Sequence, residues 1–252
     1  MAGNEEMILE YLYQYNENEK LYKEYYEARK DEKGLREFLV RNTKESILSK
    51  RLIFPELYEE SVPSEKFFSD SNMFGRFHNV KITKHDRYTP VFEHSHDMFE
   101  MIYVLSGKCR QHISGEEINL DEGDICFIAL NTVHTMEVFD DSIVLNILIR
   151  HETFDDIFLN SLRNKSILTT FFLNNLYENQ KTDYIIFRTS GDSDIKSQIL
   201  DMYIEQFEED EYCDNLLIHM ASILFNKLLR GYAKTAFVPI RKKRIWKTTI
   251  FR

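Results

Sequence analysis

The chain has 252 residues, 43% of them hydrophobic, and 42 acidic against 32 basic side chains give it a formal net charge of −10. That composition excludes a disordered chain, and no apolar run is long enough to cross a bilayer. An acidic surface repels phosphate backbones, so it speaks against direct binding of nucleic acid. The first residues, Met-Ala-Gly-Asn-Glu-Glu, lack the basic and apolar regions of a secretion signal. Cys109, Cys126 and Cys213 contain no CxxC pair and read as free, buried thiols in a reducing compartment, so the cytoplasm is expected.

Residues 5–60 are dense in Glu, Lys, Tyr and Leu, with Gly34 and Pro55 as breakers, and the pattern predicts two or three helices. Leu21, Tyr25 and Ala28 fall at helical spacing, as do Leu35, Phe38 and Leu39. The run of tyrosines from Tyr11 to Tyr26 is expected to pack on the strand-rich middle of the chain or on a second subunit. Ser61 to Glu65 leads out, and Phe77 to Ile82 has the look of a first strand. His78 and His85 read as surface or edge residues.

The densest chemistry is His94-Ser-His-Asp-Met-Phe-Glu100, continuing to Gly107 and answered by Gly123 to His134. In a strand, alternate side chains share a face, so His94, His96 and Glu100 point the same way. Four strand residues span roughly 13 Å, however, so one ion is shared only if the chain bends or bulges between Asp97 and Phe99. With His134 these side chains are the donors a divalent metal of borderline or hard character (Zn, Ni, Mn or Fe) selects. Equally, they could be the polar lining of a pocket, bonded to one another and to water. By alternation from Gly107, His112 is a further candidate for contact with a ligand. Gly107, Ser114-Gly115 and Gly123 mark turns between short alternating strands, the signature of a small antiparallel barrel.

These segments resemble the two motifs of cupin barrels, HxHxxxE followed by six residues and Gly, then Gly, five residues and PxGxxH. The first is complete from His94 to Gly107, apart from a glycine expected near Tyr88. The second keeps Gly123 and His134 but has Ala129 for the proline and Asn131 for the glycine, and asparagine is the best non-glycine residue for a positive-φ turn. The wording HSHDMFEMIYVLSG and GDICFIALNTVH is most similar to the sensor half of AraC-family transcription regulators, over about residues 70–232. The resemblance implies an α+β fold: a cupin-like antiparallel β-barrel with an N-terminal helical region and a C-terminal helical hairpin.

After the barrel, Ile143 to Ile149 reads as a buried strand, Phe154 to Leu162 and Ile167 to Tyr177 as helices, and Tyr184 to Phe187 as a short strand. Gly191-Asp-Ser-Asp offers N-caps for a helix with Ile195, Ile199, Met202, Tyr203 and Phe207 on one stripe. A second helix carries Leu216, Leu217, Met220, Ile223, Leu224 and Leu228, with Gly231 placed to end it. The pair resembles the dimerisation hairpin of such sensors, and simple packing on the barrel is the alternative. The expected divisions are 1–62 (helical extension), 70–150 (barrel), 151–232 (helices with the hairpin) and 233–252 (basic tail with Arg241-Lys-Lys-Arg244).

By resemblance, two helix-turn-helix motifs should come after the sensor, and the tail has no room for them. The expectation is therefore a chain truncated before its DNA-binding half, which contacts DNA only through that missing half. Two functions are open. One is a non-enzymatic effector-sensing and dimerising domain that binds a small molecule at His94, His96, Glu100, His112 and His134. The other is a stand-alone metal-dependent cupin enzyme, an isomerase or dioxygenase, with metal on His94, His96, Glu100 and His134.

Overall fold

The structure is a computed structural model that describes residues 2–58, 68, 73–74, 79–158, 183–208 and 210–239. The expected helix over 167–177, the basic run 241–244, the 61–65 connection and His78 lie outside the described residues.

The helix-forming N-terminus gives four helices, α1 (Ala2–Tyr13), α2 (Glu17–Ala28), α3 (Glu32–Arg41) and α4 (Lys44–Ser49), where two or three were expected. Short polar residues make the divisions: Asn16, Asp31 and Thr43 each cap the next helix by accepting a backbone N–H. Tyr22, Tyr25, Phe38, Ile47 and Phe54 bury together, so the tyrosines of α2 serve packing.

The described residues hold eight strands: β1 (Val80–Lys84), β2 (Phe99–Ser106), β3 (Lys108–Ile113), β4 (Glu116–Asp121), β5 (Asp124–Ile128), β6 (His134–Glu137), β7 (Ile143–Ile149) and β8 (Tyr184–Arg188). They form two antiparallel sheets, ordered β1-β7-β2-β5-β8 and β4-β3-β6, the cupin-like core expected of an α+β chain. Alternation in β2 separates two cores. Phe99, Met101 and Tyr103 face the helices, whereas Ile102 and Val104 face the space between the sheets with Cys109, Ile113, Cys126 and Met136. All three cysteines are free and buried, as expected.

Helix α5 (His151–Phe158) stacks Phe154 on Phe99, ring centroids 3.7 Å apart. Helices α6 (Ser193–Glu205) and α7 (Cys213–Tyr232) pack on the same face through Ile195, Ile199, Leu217, Leu224 and Leu228. Asp192 is the N-cap of α6, accepting from Asp194 and Ile195. Two details differ from expectation. Phe207, Leu216 and Ile223 are exposed, not core. Gly231 lies inside α7, which runs one residue further to Tyr232 and ends in right-handed backbone at Ala233, so the glycine terminates nothing.

Gly107 behaves as the turn pattern requires. Its φ is +79°, and a Cβ there would lie 2.1 Å from Ser142 Oγ. Gly107→Ala is expected to destabilise the fold by more than about 1 kcal/mol, from left-handed strain and the clash together; a urea titration with an unchanged midpoint would contradict this.

Candidate functional site

The chain does bend between the first histidines and Glu100. His94 pairs with His134 in an isolated antiparallel bridge, His94 N–H to His134 C=O and the reverse both at 3.0 Å, and the backbone then turns at Asp97 and Met98 before β2 begins at Phe99. Asn131 supports the second segment in left-handed backbone (φ 54°), donating its N–H to His96 C=O at 2.8 Å. The residue expected to tolerate the lost glycine therefore does so. Tyr88, where the cupin pattern has glycine, also takes a positive φ of 64°, and the N-terminal helices hold it there: its ring lies 5.3 Å from Tyr26.

The bend brings the ring nitrogens of His94, His96 and His134 within 4.8 Å of one another. Each imidazole is aimed by its own backbone. Nδ1 of His94, His96 and His134 donates to the carbonyls of Phe92 (3.3 Å), Met98 (2.9 Å) and Thr132 (2.9 Å). Because a carbonyl only accepts, these bonds place the proton on Nδ1 and leave Nε2 as the inward atom, the arrangement by which outer partners orient metal-ligating histidines. His96 Nε2 lies 3.1 Å from Glu100 Oε2, a hydrogen bond it donates only when the ring is protonated on both nitrogens.

Charge within the group is divided unevenly. Burial pushes His94 down to about 3, helped by His134. Burial also opposes charge on His96, but the bonds to Glu100 and Met98 outweigh it and raise its pKa. Burial would raise Glu100, yet His134 and His96 hold it well below the carboxylate range. His134 Nε2 is buried 3.2 Å from Glu100 Oε2. A ring nitrogen lone pair facing a carboxylate oxygen at that distance calls for a cation between them, a proton or a metal ion. The residues present thus fit a divalent metal.

His112 is not part of this group. On β3, Cys109, Gln111 and Ile113 face inward, so His112 faces out, 3.6 Å from Glu117 and 3.8 Å from Glu137. Alternation counted from Gly107 gives this strand the opposite phase. His85 departs from expectation in the other direction: it is partly buried, its Nε2 is shut off from solvent without a partner, and burial lowers its pKa.

Strand register places more polar groups beneath the histidines. Glu100 is level with Ile128 and Leu148; one layer down, Ile102 is level with Cys126 and Asn146. In the facing sheet Ile113 is level with His134, and Gln111 with Met136. Gln111 Oε1 and Asn146 Oδ1 are buried and make no hydrogen bond. An amide in an alternating strand carries no sequence signal that separates it from an ordinary inward polar residue. Gln111→Met is expected to stabilise the folded protein by about 1 kcal/mol by removing an unsatisfied carbonyl. A loss of stability on urea titration would show the group to be bonded in solution.

Comparison with known proteins places this geometry in a family. The family model of the AraC-like ligand binding domain matches residues 80–210. No curated protein matches. Similar solved structures include ToxT from Vibrio cholerae, 14% identical over 63% of this chain and 58% of that one, with a TM-score of 0.39. Unsaturated fatty acid-bound ToxT from Vibrio cholerae is 18% identical over 61% and 55%, TM-score 0.36. A cupin protein from Bacteroides fragilis is 32% identical over 29% and 64%, TM-score 0.25. The chain spans a little over half the length of ToxT. The family match begins at β1, takes in every described strand and reaches past α6, just over half of the chain: the chain belongs to the AraC-like ligand binding domain family.

Proposed function

We propose that this chain is an effector-sensing domain that recognises a small molecule at His94, His96, Glu100 and His134 and passes its occupancy to a dimerising α6–α7 hairpin. The observation that carries the reading is the trio of imidazoles, each locked through Nδ1, with Glu100 against two of them, in a ligand-binding family. A divalent ion (zinc, nickel, manganese or iron) held by these four side chains would present open positions to an oxygen or nitrogen of the effector. The chain's own part is to fix the Nε2 atoms inward and to keep Glu100 ionised.

Exposed Leu216 and Ile223 lie seven residues apart on one face of α7, with exposed Tyr212 just before it, and they supply an apolar stripe for a second copy. DNA contact, with a net charge of −10 on this chain, belongs to a separate basic module. The three-imidazole, one-carboxylate donor set also favours a second reading, a metal-dependent isomerase or dioxygenase. Turnover by the metal-loaded protein would select it.

The test is a thermal-shift screen of sugars and small acids on protein purified without an affinity tag and loaded with each metal. His94→Ala with His96→Ala is expected to abolish any effector shift while sedimentation still shows a dimer. Loss of the dimer instead would place these histidines in a structural role.

A further inference from the structure

A second cleft is lined by none of the histidine-group residues. About 450 Å³ in volume, it opens between the end of α1, the free edge of β1 and the end of α6, and its lining includes Tyr11, Ile82, Lys84, Tyr203, Gln206 and Phe207. Its size falls within the roughly 300–1,000 Å³ of small-molecule sites. Tyr11 and Phe207 are each 58% exposed, and the Tyr203 and Phe207 rings stand 5.5 Å apart, so aromatic surface is displayed on both walls.

The floor is a sheet edge. Strand β1 is the outermost strand of its sheet, and its pairing alternates. The residues flanking the strand bond inward to β7, Arg150 N–H to Asn79 C=O at 3.1 Å and His85 N–H to Val144 C=O at 2.9 Å. By the two-residue alternation of an antiparallel ladder, the peptide groups of residues 80, 82 and 84 therefore point away from the sheet. At Ile82 the Gln206 carboxamide answers them: Ile82 N–H donates to Oε1 at 3.3 Å and Nε2 donates to Ile82 C=O at 2.8 Å. One residue pair further on, the N–H and C=O of Lys84 face the cleft with no hydrogen-bond partner among the described residues.

We propose that this cleft is a second binding site, for a flat heteroaromatic ring with a lactam edge, an adjacent ring N–H and C=O. Such an edge offers Lys84 what the Gln206 amide already gives Ile82, an acceptor for the N–H and a donor for the C=O. The ring plane offers the exposed faces of Tyr11 and Phe207 an aromatic surface to stack on. A side chain's charge is not required, because Lys84 Nζ is already engaged with Glu19 and the carbonyls of Leu12 and Gln14. A bound ring would touch the N-terminal helices, the barrel edge and α6 at once, and so tie the extension to the hairpin.

The probes are uracil and hypoxanthine, set against 1,3-dimethyluracil, which lacks the ring donor, and 2-piperidone, which has the lactam edge without the aromatic ring. Proton–nitrogen NMR of the whole chain reads the Lys84 amide directly. The expected result is saturable movement of that amide with uracil or hypoxanthine and far weaker effects from both controls. Tyr11→Ala with Phe207→Ala, both at exposed positions, should weaken binding about tenfold or more. The proposal is overturned if neither nucleobase moves the Lys84 amide, if dimethyluracil or piperidone binds as well, or if the ring variants leave affinity unchanged. None of these outcomes touches the histidine site.

Discussion

Replacing Glu19 with alanine is expected to lower the stability of the chain by about 3–5 kcal/mol, the usual effect of removing one partner from a buried ion pair. Glu19 is fully buried between α2 and the barrel, 2.8 Å from Arg87 Nε and 2.7 Å from Lys84 Nζ. The same carboxylate accepts from Asn16 N–H at 2.9 Å and completes the cap of α2. Arg87 and Lys84 also donate to the carbonyls of Leu12, Tyr13 and Gln14, so they neutralise the end of α1, whose last turn has no basic residue of its own. Without Glu19 two buried cations face each other across one helix end. Urea denaturation checks the magnitude, and a loss below about 1 kcal/mol, the scale of an exposed pair, would contradict it.

The pH dependence arises from the same group. Burial works to raise the Glu19 pKa, but Arg87, Lys84 and the Asn16 N–H outweigh it and hold it below its ordinary 4.5. A carboxyl depressed in the folded state contributes stability that is fully present above its unfolded value and is lost as pH falls through the folded one. Acid should therefore loosen the helical extension from the barrel, and the Glu19→Ala protein should show less of this acid sensitivity.

His134→Ala carries the second large effect. Divalent-metal affinity is expected to fall by more than about 100-fold, beyond the 10- to 100-fold typical of losing an outer partner, because a ligand atom itself is removed. Thr132→Ala serves as the control, since it keeps the carbonyl that orients His134 Nδ1 and should leave affinity near wild type. Isothermal titration of zinc into the apo protein makes the comparison. Equal affinity for wild type and His134→Ala would remove His134 from the donor set.

Much of the fold is legible in the sequence because its signals are local. The glycine turns, the alternation from Phe99 to Val104 and the Asp192 cap each depend on neighbours in sequence, and each is found where it was expected. The convergence of His94, His96 and His134 is legible from the motif, and the bend it requires comes from strand geometry alone. The features that escape the sequence depend on phase or distance. His112 and His85 turn on which face of a strand looks inward, and a single turn residue shifts that phase by one. The Glu19–Arg87–Lys84 cluster joins side chains 65 and 68 positions apart, and no spacing rule links a helix carboxylate to cations at the end of a later strand and in the turn after it. Gly231 misleads because a glycine near a helix end suggests a cap, while the backbone there stays right-handed through Ala233.

The most direct test of the histidine site is long-range proton–nitrogen NMR of the imidazoles as zinc is added. Nε2 of His94, His96 and His134 should shift together at one equivalent of metal while their Nδ1 atoms stay protonated. Movement confined to His85 or His112, or three histidines responding at separate metal concentrations, would contradict a shared site.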